Sequence, residues 1–250
     1  RRCTCNARKV FRQTMNHKTL DAYKVSTEGI DLSQAAHLYQ EFFNTCEYNW
    51  WYEVLPDDVV VDIGGCVGFF SALALDKGAE KVYMIEPNRN LVKTAIRNVS
   101  DHIIDDPTRF VPIHGAMSDD LSDTLHVFGE HEEYPTFTFS EFLEKHDVKN
   151  IDFLKVDCEG AEYNILKPQM IDFFENNVRH MAIEVHLRAQ DDGPTKFIQW
   201  RDSFLQHFAL QGKVRYQSKY VADAVNEDWS IMQRDFTKVP AEFMVYITNW

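Results

Sequence analysis

The segment Val59-Val60-Val61-Asp62-Ile63-Gly64-Gly65-Cys66-Val67-Gly68-Phe69 constrains this chain more than any other. Its first five residues form a short, β-branched run of the kind that fills a parallel strand buried on both faces. Glycines follow at once, and from Phe69 to Leu75 the apolar spacing turns helical. Strand, glycine turn and helix in that order predict a βα unit whose turn lets main chain approach a ligand. Gly64 and Gly65 permit that approach, and Gly68 lets the helix start sit tight on the strand.

The same alternation continues along the chain. Strands are predicted over 59–63, 82–85, 110–113, 151–156, 181–187, 214–221 and 243–248. A helix is expected over 33–43 after a Ser33 cap, and another on the face of Leu91, Val92, Ala95, Ile96 and Val99. A third runs through Ala161, Ile165 and Leu166 and is closed by Pro168; a fourth carries Phe197, Ile198, Trp200, Phe204, Leu205 and Phe208. No helical pattern separates the last two strands, so they should pair antiparallel. The expected fold is α/β: a Rossmann-like, doubly wound seven-stranded sheet, mostly parallel with one antiparallel strand, binding ligands at the strands' carboxyl ends. Residues 1–52 are expected to form an N-terminal helical extension and 53–250 the ligand-binding domain. The aromatic cluster Tyr48, Trp50, Trp51 and Tyr52 should pack the extension against that domain.

Charge narrows the partners. The formal net charge is -13, and so acidic a surface repels phosphate backbones, arguing against nucleic acid and anionic membranes. Five cysteines (Cys3, Cys5, Cys46, Cys66, Cys158) are too few and scattered for a disulfide framework, which suits reduced thiols and a cytoplasmic setting. No apolar run approaches the roughly 20 residues that span a bilayer. Arg1 and Arg2 have no apolar stretch behind them and no initiator Met precedes them, so the chain is expected to be a domain of a larger multidomain protein.

The turn itself discriminates between ligands. Nicotinamide and flavin folds use Gly-x-Gly-x-x-Gly to seat a pyrophosphate on the helix N-terminus. Here the pattern is Gly64-Gly65-x-x-Gly68, with the carboxylate of Asp62 two residues before it. An acid there opposes a pyrophosphate and suits an ammonium-bearing ligand, as in the amino-acid half of S-adenosylmethionine. Glu86, 24 residues after Asp62 at the end of the next strand, is placed to accept both ribose hydroxyls, with Asn88 beside it. Met117 and Ser118, in Gly115-Ala116-Met117-Ser118-Asp119, follow the third strand where an adenine would lie. Asp157, Glu159 and Glu162 crowd the end of the fourth strand. Asp157 and Glu159 are candidates to meet the methyl acceptor, whereas Glu162 suits a helix N-terminus. Glu184-Val185-His186 closes the fifth strand beside them.

Two of these segments, Asp62-x-Gly64-x-x-x-Gly68 and Lys155-x-Asp157-x-Glu159-Gly160-x-Glu162, resemble the FkbM family of S-adenosylmethionine-dependent methyltransferases, with Glu184-Val185-His186 in the corresponding place. The resemblance covers roughly residues 55–187 and implies O-methylation, often of sugar or natural-product hydroxyls. Two versions of the chemistry stay open. Either His186 or Glu159 takes the hydroxyl proton, or Asp157, Glu184 and His186 hold a divalent ion that polarises the hydroxyl. The segment Asp157-Cys158-Glu159-Gly160 lacks the Pro-Pro-aromatic pattern of base amino-methylation. His186-Leu187-Arg188 lacks the lysine of RNA ribose methyltransferases. A non-catalytic cofactor-binding or partner-binding domain and an NAD-dependent oxidoreductase are the alternatives. The flanks should shape the acceptor pocket, with Trp50, Trp51, Tyr134, Trp200 and Trp229 available to stack on sugars or to fill the core.

Overall fold

The computed structural model describes residues 26–39, 41–42, 47–49, 51–118, 134–187, 192–218, 225–226 and 242–250. Cys3, Cys5, Cys46, Trp50, Asp119, Arg188 and Trp229 lie outside them. The described residues divide into two compact units. The first runs up to Ala116 and takes in Tyr134 and Pro135; the second comprises Met117, Ser118 and the described residues from Thr136 onward.

In the first unit, helix Leu32–Tyr39 (α1) is opened by Asp31, not by Ser33. The Asp31 carboxylate accepts the Gln34 amide at 2.9 Å, and the Gln34 side chain accepts the Asp31 amide at 3.2 Å. This reciprocal box satisfies two end amides, which a serine inside the first turn would not do. Val59–Ile63 (β1), Lys81–Glu86 (β2) and Phe110–His114 (β3) run parallel in the order β3-β2-β1. Helices Phe69–Asp76 (α2) and Arg89–Val99 (α3) are the crossovers, so the unit is a βαβαβ half of the expected architecture. Nearly all of α2 is buried, which explains its lack of a polar face. By contrast α3 is amphipathic. Asn88 caps it, accepting from the amides of Asn90 and Leu91, and Leu91, Val92, Ala95 and Val99 face inward.

The described part of the extension packs within this unit. Asn98 exchanges hydrogen bonds with the main chain of Ser26, and Thr94 donates to the Glu28 carbonyl at 2.8 Å. Tyr48 stacks on Phe42 at 5.1 Å and meets Phe70 of α2 at 5.9 Å. The packing role expected of this aromatic cluster thus holds for Tyr48.

The second unit begins with Met117, and the Ser118 amide donates to the Phe137 carbonyl at 3.0 Å where the two-residue strands Ala116–Met117 (β4) and Thr136–Phe137 (β5) end. Helix Phe139–His146 (α4) follows, unforeseen although Thr138 and Glu141 form a complete capping box. Ile151–Val156 (β6) leads to the single turn Glu162–Ile165 (α5). Pro168 does end that helix, but it also begins a 3-10 turn that feeds helix Ile171–Asn177 (α6). A proline at a first helical position costs no hydrogen bond, so it opens a helix as readily as it closes one.

Strand Val178–His186 (β7) starts three residues earlier than its apolar pattern indicates. His180 lies between Phe153 of β6 and Thr248 of Glu242–Thr248 (β10), so pairing on both sides extends the strand through polar residues. Helix Gly193–Trp200 (α7) continues through a π-helical turn, Arg201–Leu205, into Gln206–Ala209 (α8). Val214–Ser218 (β8) and β10 pair antiparallel as expected, and β10 is also antiparallel to β7. With Val225–Asn226 (β9) the order in this unit is β6-β7-β10-β8-β9. Apart from the two-residue β9, the seven predicted strands of the main sheet are all present. The Rossmann-like, mostly parallel fold stands.

Aromatic rings knit this unit's core. Phe139 meets Phe174 at 5.1 Å, Phe174 meets Phe204 edge-on at 5.7 Å, and Trp200 stacks on Phe204 at 5.5 Å. Each such side chain removed from water contributes about 1.5–3 kcal/mol. Trp200 is buried, with its indole N–H donating to the Leu166 carbonyl at 2.8 Å, so it is core and not a sugar platform. No helix among the described residues is long and apolar enough to cross a membrane.

Candidate active site

At the end of β1 the amides of Gly64 and Gly65 both donate to the Ile85 carbonyl, at 3.0 and 3.1 Å, folding the turn against β2. Gly68 has a φ of +79°, and a Cβ there would lie 2.7 Å from the Ala95 Cβ of α3. Gly65 also meets a packing constraint: a Cβ on it would come within 2.2 Å of the Met84 side chain. Glu86 ties the turn together: one carboxylate oxygen accepts the Cys66 amide at 3.0 Å and the other the Asn88 amide at 2.8 Å. Asp62 is fully buried and accepts from the Ser71 hydroxyl at 2.7 Å. The Asn88 side chain is engaged as the α3 cap.

These residues fit S-adenosylmethionine. From Val59 to Ser71 the chain has no Lys or Arg, while Asp62 and Glu86 are both acids. A pyrophosphate would meet two carboxylates and no cation, whereas an ammonium group and a ribose diol would meet acceptors. Two amides do not exhaust Glu86, since a carboxylate has about four acceptor sites. Met117 and Ser118, the proposed adenine contacts, are buried residues of the second unit.

The second unit assembles its own cluster. After β6 the chain doubles back through Glu159 (φ +53°) and Gly160 (φ +99°), aiming the amides of Cys158 and Gly160 at one oxygen of Glu162, each at 3.2 Å. That oxygen also takes the Nδ1 of His186 at 2.8 Å. The opposite ring nitrogen, Nε2, lies 3.5 Å from Glu184, 3.7 Å from Glu159 and 3.9 Å from Asp157. Lys155, buried, stands 3.4 Å from the other oxygen of Asp157. Tyr163 donates its hydroxyl to the His186 carbonyl at 3.2 Å. β6 and β7 pair in parallel, which brings the acids after Val156 beside the end of β7.

Electrostatics then assign protonation states. Burial pulls the His186 pKa down, but Glu162, Asp157 and Glu184 outweigh it and raise it to about 10, so the ring is an imidazolium at neutral pH. Burial pushes the Glu159 carboxyl up, with Asp157 and Glu162 adding to the rise against the pull of His186. Burial likewise keeps the Cys158 thiol protonated. His186 is therefore already charged, and Glu159, half-exposed at 48%, is the accessible group of raised basicity. Ligand atoms of Asp157, Glu159 and His186 lie within 4.8 Å of one another, and Glu184, the third member of the expected metal set, lies 3.5 Å from the same Nε2.

Sequence reasoning assigned Glu162 only to the helix start and passed over Tyr163. Their shared partner lies 24 and 23 residues away, at the end of β7, and only the crowding of acids at 157, 159 and 162 hinted at it.

The model of the methyltransferase FkbM domain matches residues 62–211. The chain belongs to the FkbM methyltransferase family. As a member it is a methyltransferase of the S-adenosylmethionine-dependent kind, and the oxidoreductase alternative is set aside. A search of curated proteins gives no match. Among solved structures, a putative rRNA-methylase from Clostridium thermocellum is similar at 11% identity, TM-score 0.45, covering 86% of this chain and 94% of that one. A putative O-methyltransferase from Klebsiella pneumoniae is similar at 10% identity, TM-score 0.44, with 93% and 87% covered. An O-methyltransferase from Bacillus cereus, in complex with SAH, is similar at 10% identity, TM-score 0.43, with 92% and 87% covered.

Proposed function

We propose that this FkbM-family methyltransferase transfers the methyl group of S-adenosylmethionine to a hydroxyl of a sugar, glycan or other small polyhydroxylated acceptor. The observation that carries the reading is the approach of Glu159 to the charged His186 at 3.7 Å. An aliphatic hydroxyl is a poor nucleophile and needs a base as it attacks. Glu159 takes that proton, being the exposed carboxylate of raised pKa. His186, already protonated, steadies the surrounding carboxylates, and Asp157, paired with Lys155, orients the hydroxyl. The bound cofactor supplies an activated sulfonium, so alignment provides much of the remaining rate, on the order of several kcal/mol.

For the cofactor, Glu86 receives the ribose hydroxyls, the turn Gly64, Gly65 and Gly68 receives the amino-acid half, and Asp62 supplies the negative charge its ammonium group needs. Asn88, Met117 and Ser118 complete that set in our reading. Trp51 and Tyr134, both half-buried, remain candidates to face the acceptor. A second version, with a divalent ion on Asp157, His186 and either Glu184 or Glu159, is favoured by the gathered ligand atoms and by the carboxylate on Nδ1. Against it, a proton on Nε2 competes directly with the metal. The net charge of -13 speaks against nucleic acid, and the thiols of Cys66 and Cys158 suit a cytoplasmic location.

The test is label transfer from methyl-labelled S-adenosylmethionine to a panel of methyl glycosides, with total RNA as a parallel acceptor and EDTA as a parallel condition. We expect label on a glycoside hydroxyl, lost in Glu159→Gln and indifferent to EDTA. Label in RNA alone would overturn the acceptor class, and loss with EDTA would select the metal version.

A further inference from the structure

Glu162 and Tyr163 are consecutive, and both reach His186. The first holds its ring through Nδ1 at 2.8 Å and the second holds its main-chain carbonyl at 3.2 Å. A carboxylate serving only a helix start sits in water, where its contribution is below about 1 kcal/mol. Glu162 is fully buried instead, and its second oxygen has no hydrogen-bond partner among the described residues. Burying it so is unfavourable unless a bonded partner compensates, and the His186 ring is the side chain bonded to it.

The two grips rest on a rigid base. The Tyr163 ring stands edge-on to Trp200 at 5.8 Å, and Trp200 is itself anchored to the Leu166 carbonyl. One Glu162 oxygen also receives the amides of Cys158 and Gly160, so the loop that carries Glu159 and the ring of His186 pivot on the same atom.

We infer that Glu162 and Tyr163 are positioning residues that clamp His186, so that Nε2 is held towards Asp157, Glu159 and Glu184. The inference rests on the reading above that His186 steadies the carboxylates that meet an acceptor. The clamp itself can be observed without one.

The experiment is nuclear magnetic resonance of the protein labelled with nitrogen-15 histidine, the His186 Nδ1–H signal being assigned by its loss in His186→Gln. In the unmodified chain that proton should persist, sheltered from water. Glu162→Gln keeps an acceptor for the two loop amides but removes the charge, and a charge-assisted bond is about twice as strong as a neutral one. Solvent exchange of the Nδ1 proton should therefore quicken about tenfold, while backbone signals stay dispersed. Tyr163→Phe, which keeps the ring against Trp200, should quicken it by a smaller factor. Unchanged exchange in both variants overturns the clamp, and if Glu162→Gln does not fold, unchanged exchange in Tyr163→Phe alone overturns it. Failure of the catalytic reading shows separately, as full methyl transfer by His186→Gln.

Discussion

The Glu86 carboxylate accepts the amide of Cys66, twenty residues earlier in the chain, at 3.0 Å. The same side chain holds the Asn88 amide, so one acid fixes the β1 turn against the start of α3 and, in the proposed reading, offers acceptors to a ribose diol. Replacing it by alanine removes both services. Calorimetric titration of S-adenosylmethionine should show at least about a tenfold loss of affinity in Glu86→Ala, the equivalent of one hydrogen bond to a charged group. Undiminished affinity would exclude Glu86 from the cofactor site.

His186 makes stability depend on alkaline pH. Its pKa is raised from 6.5 to about 10 in the folded chain, so folding favours the protonated ring. That contribution is fully present below pH 6.5 and is lost as the pH rises through about 10. Denaturant titrations between pH 6 and 10 should show a falling limb that flattens in His186→Gln. A parallel fall in both proteins would contradict the assignment.

Acid should act through Glu175. Hydrogen bonds from Lys213 and His207 lower its pKa from 4.5 to about 2. A depressed carboxyl contributes stability that is present above pH 4.5 and lost as the pH falls through about 2. The unfolding midpoint of Glu175→Gln should therefore differ most from the parent chain near neutrality and converge with it in acid.

The two glycines of the turn should fail for different reasons. Gly65→Ala places a methyl against Met84, an overpacking cost of about 1–3 kcal/mol. Gly68→Ala adds a left-handed backbone penalty, about 1–2 kcal/mol, to a clash with Ala95 main chain 3.0 Å away. Thermal unfolding should rank Gly68→Ala as the less stable of the two, and Met84→Ala should relieve Gly65→Ala but not Gly68→Ala.

Much of the fold was legible because its rules are short-range. Val59–Ile63 reads as a buried strand from five residues, and the antiparallel pairing of Val214–Ser218 with Glu242–Thr248 follows from the absence of a helical pattern between them. Where the reading slipped, a distant partner had intervened. His180 is strand because β6 and β10 flank it, and of the two roles left open for Trp200 the core is the one that goes with its indole N–H donating to the Leu166 carbonyl. Helix Phe139–His146 was missed although its Thr138–Glu141 box stood in plain view.

By itself the sequence determined the strand–turn–helix at Asp62, the acid at Glu86 and the family, since periodicity, glycine spacing and motif are local properties of a chain. The proposal of Glu159 as the base, by contrast, draws on tertiary structure alone. Folding gathers Glu162, Asp157 and Glu184 around the His186 ring, which raises its pKa, and leaves Glu159 as the exposed carboxylate beside it. A pKa is set by the charges and the desolvation that surround a group, and neither exists until the chain has brought residues 162 and 186 together.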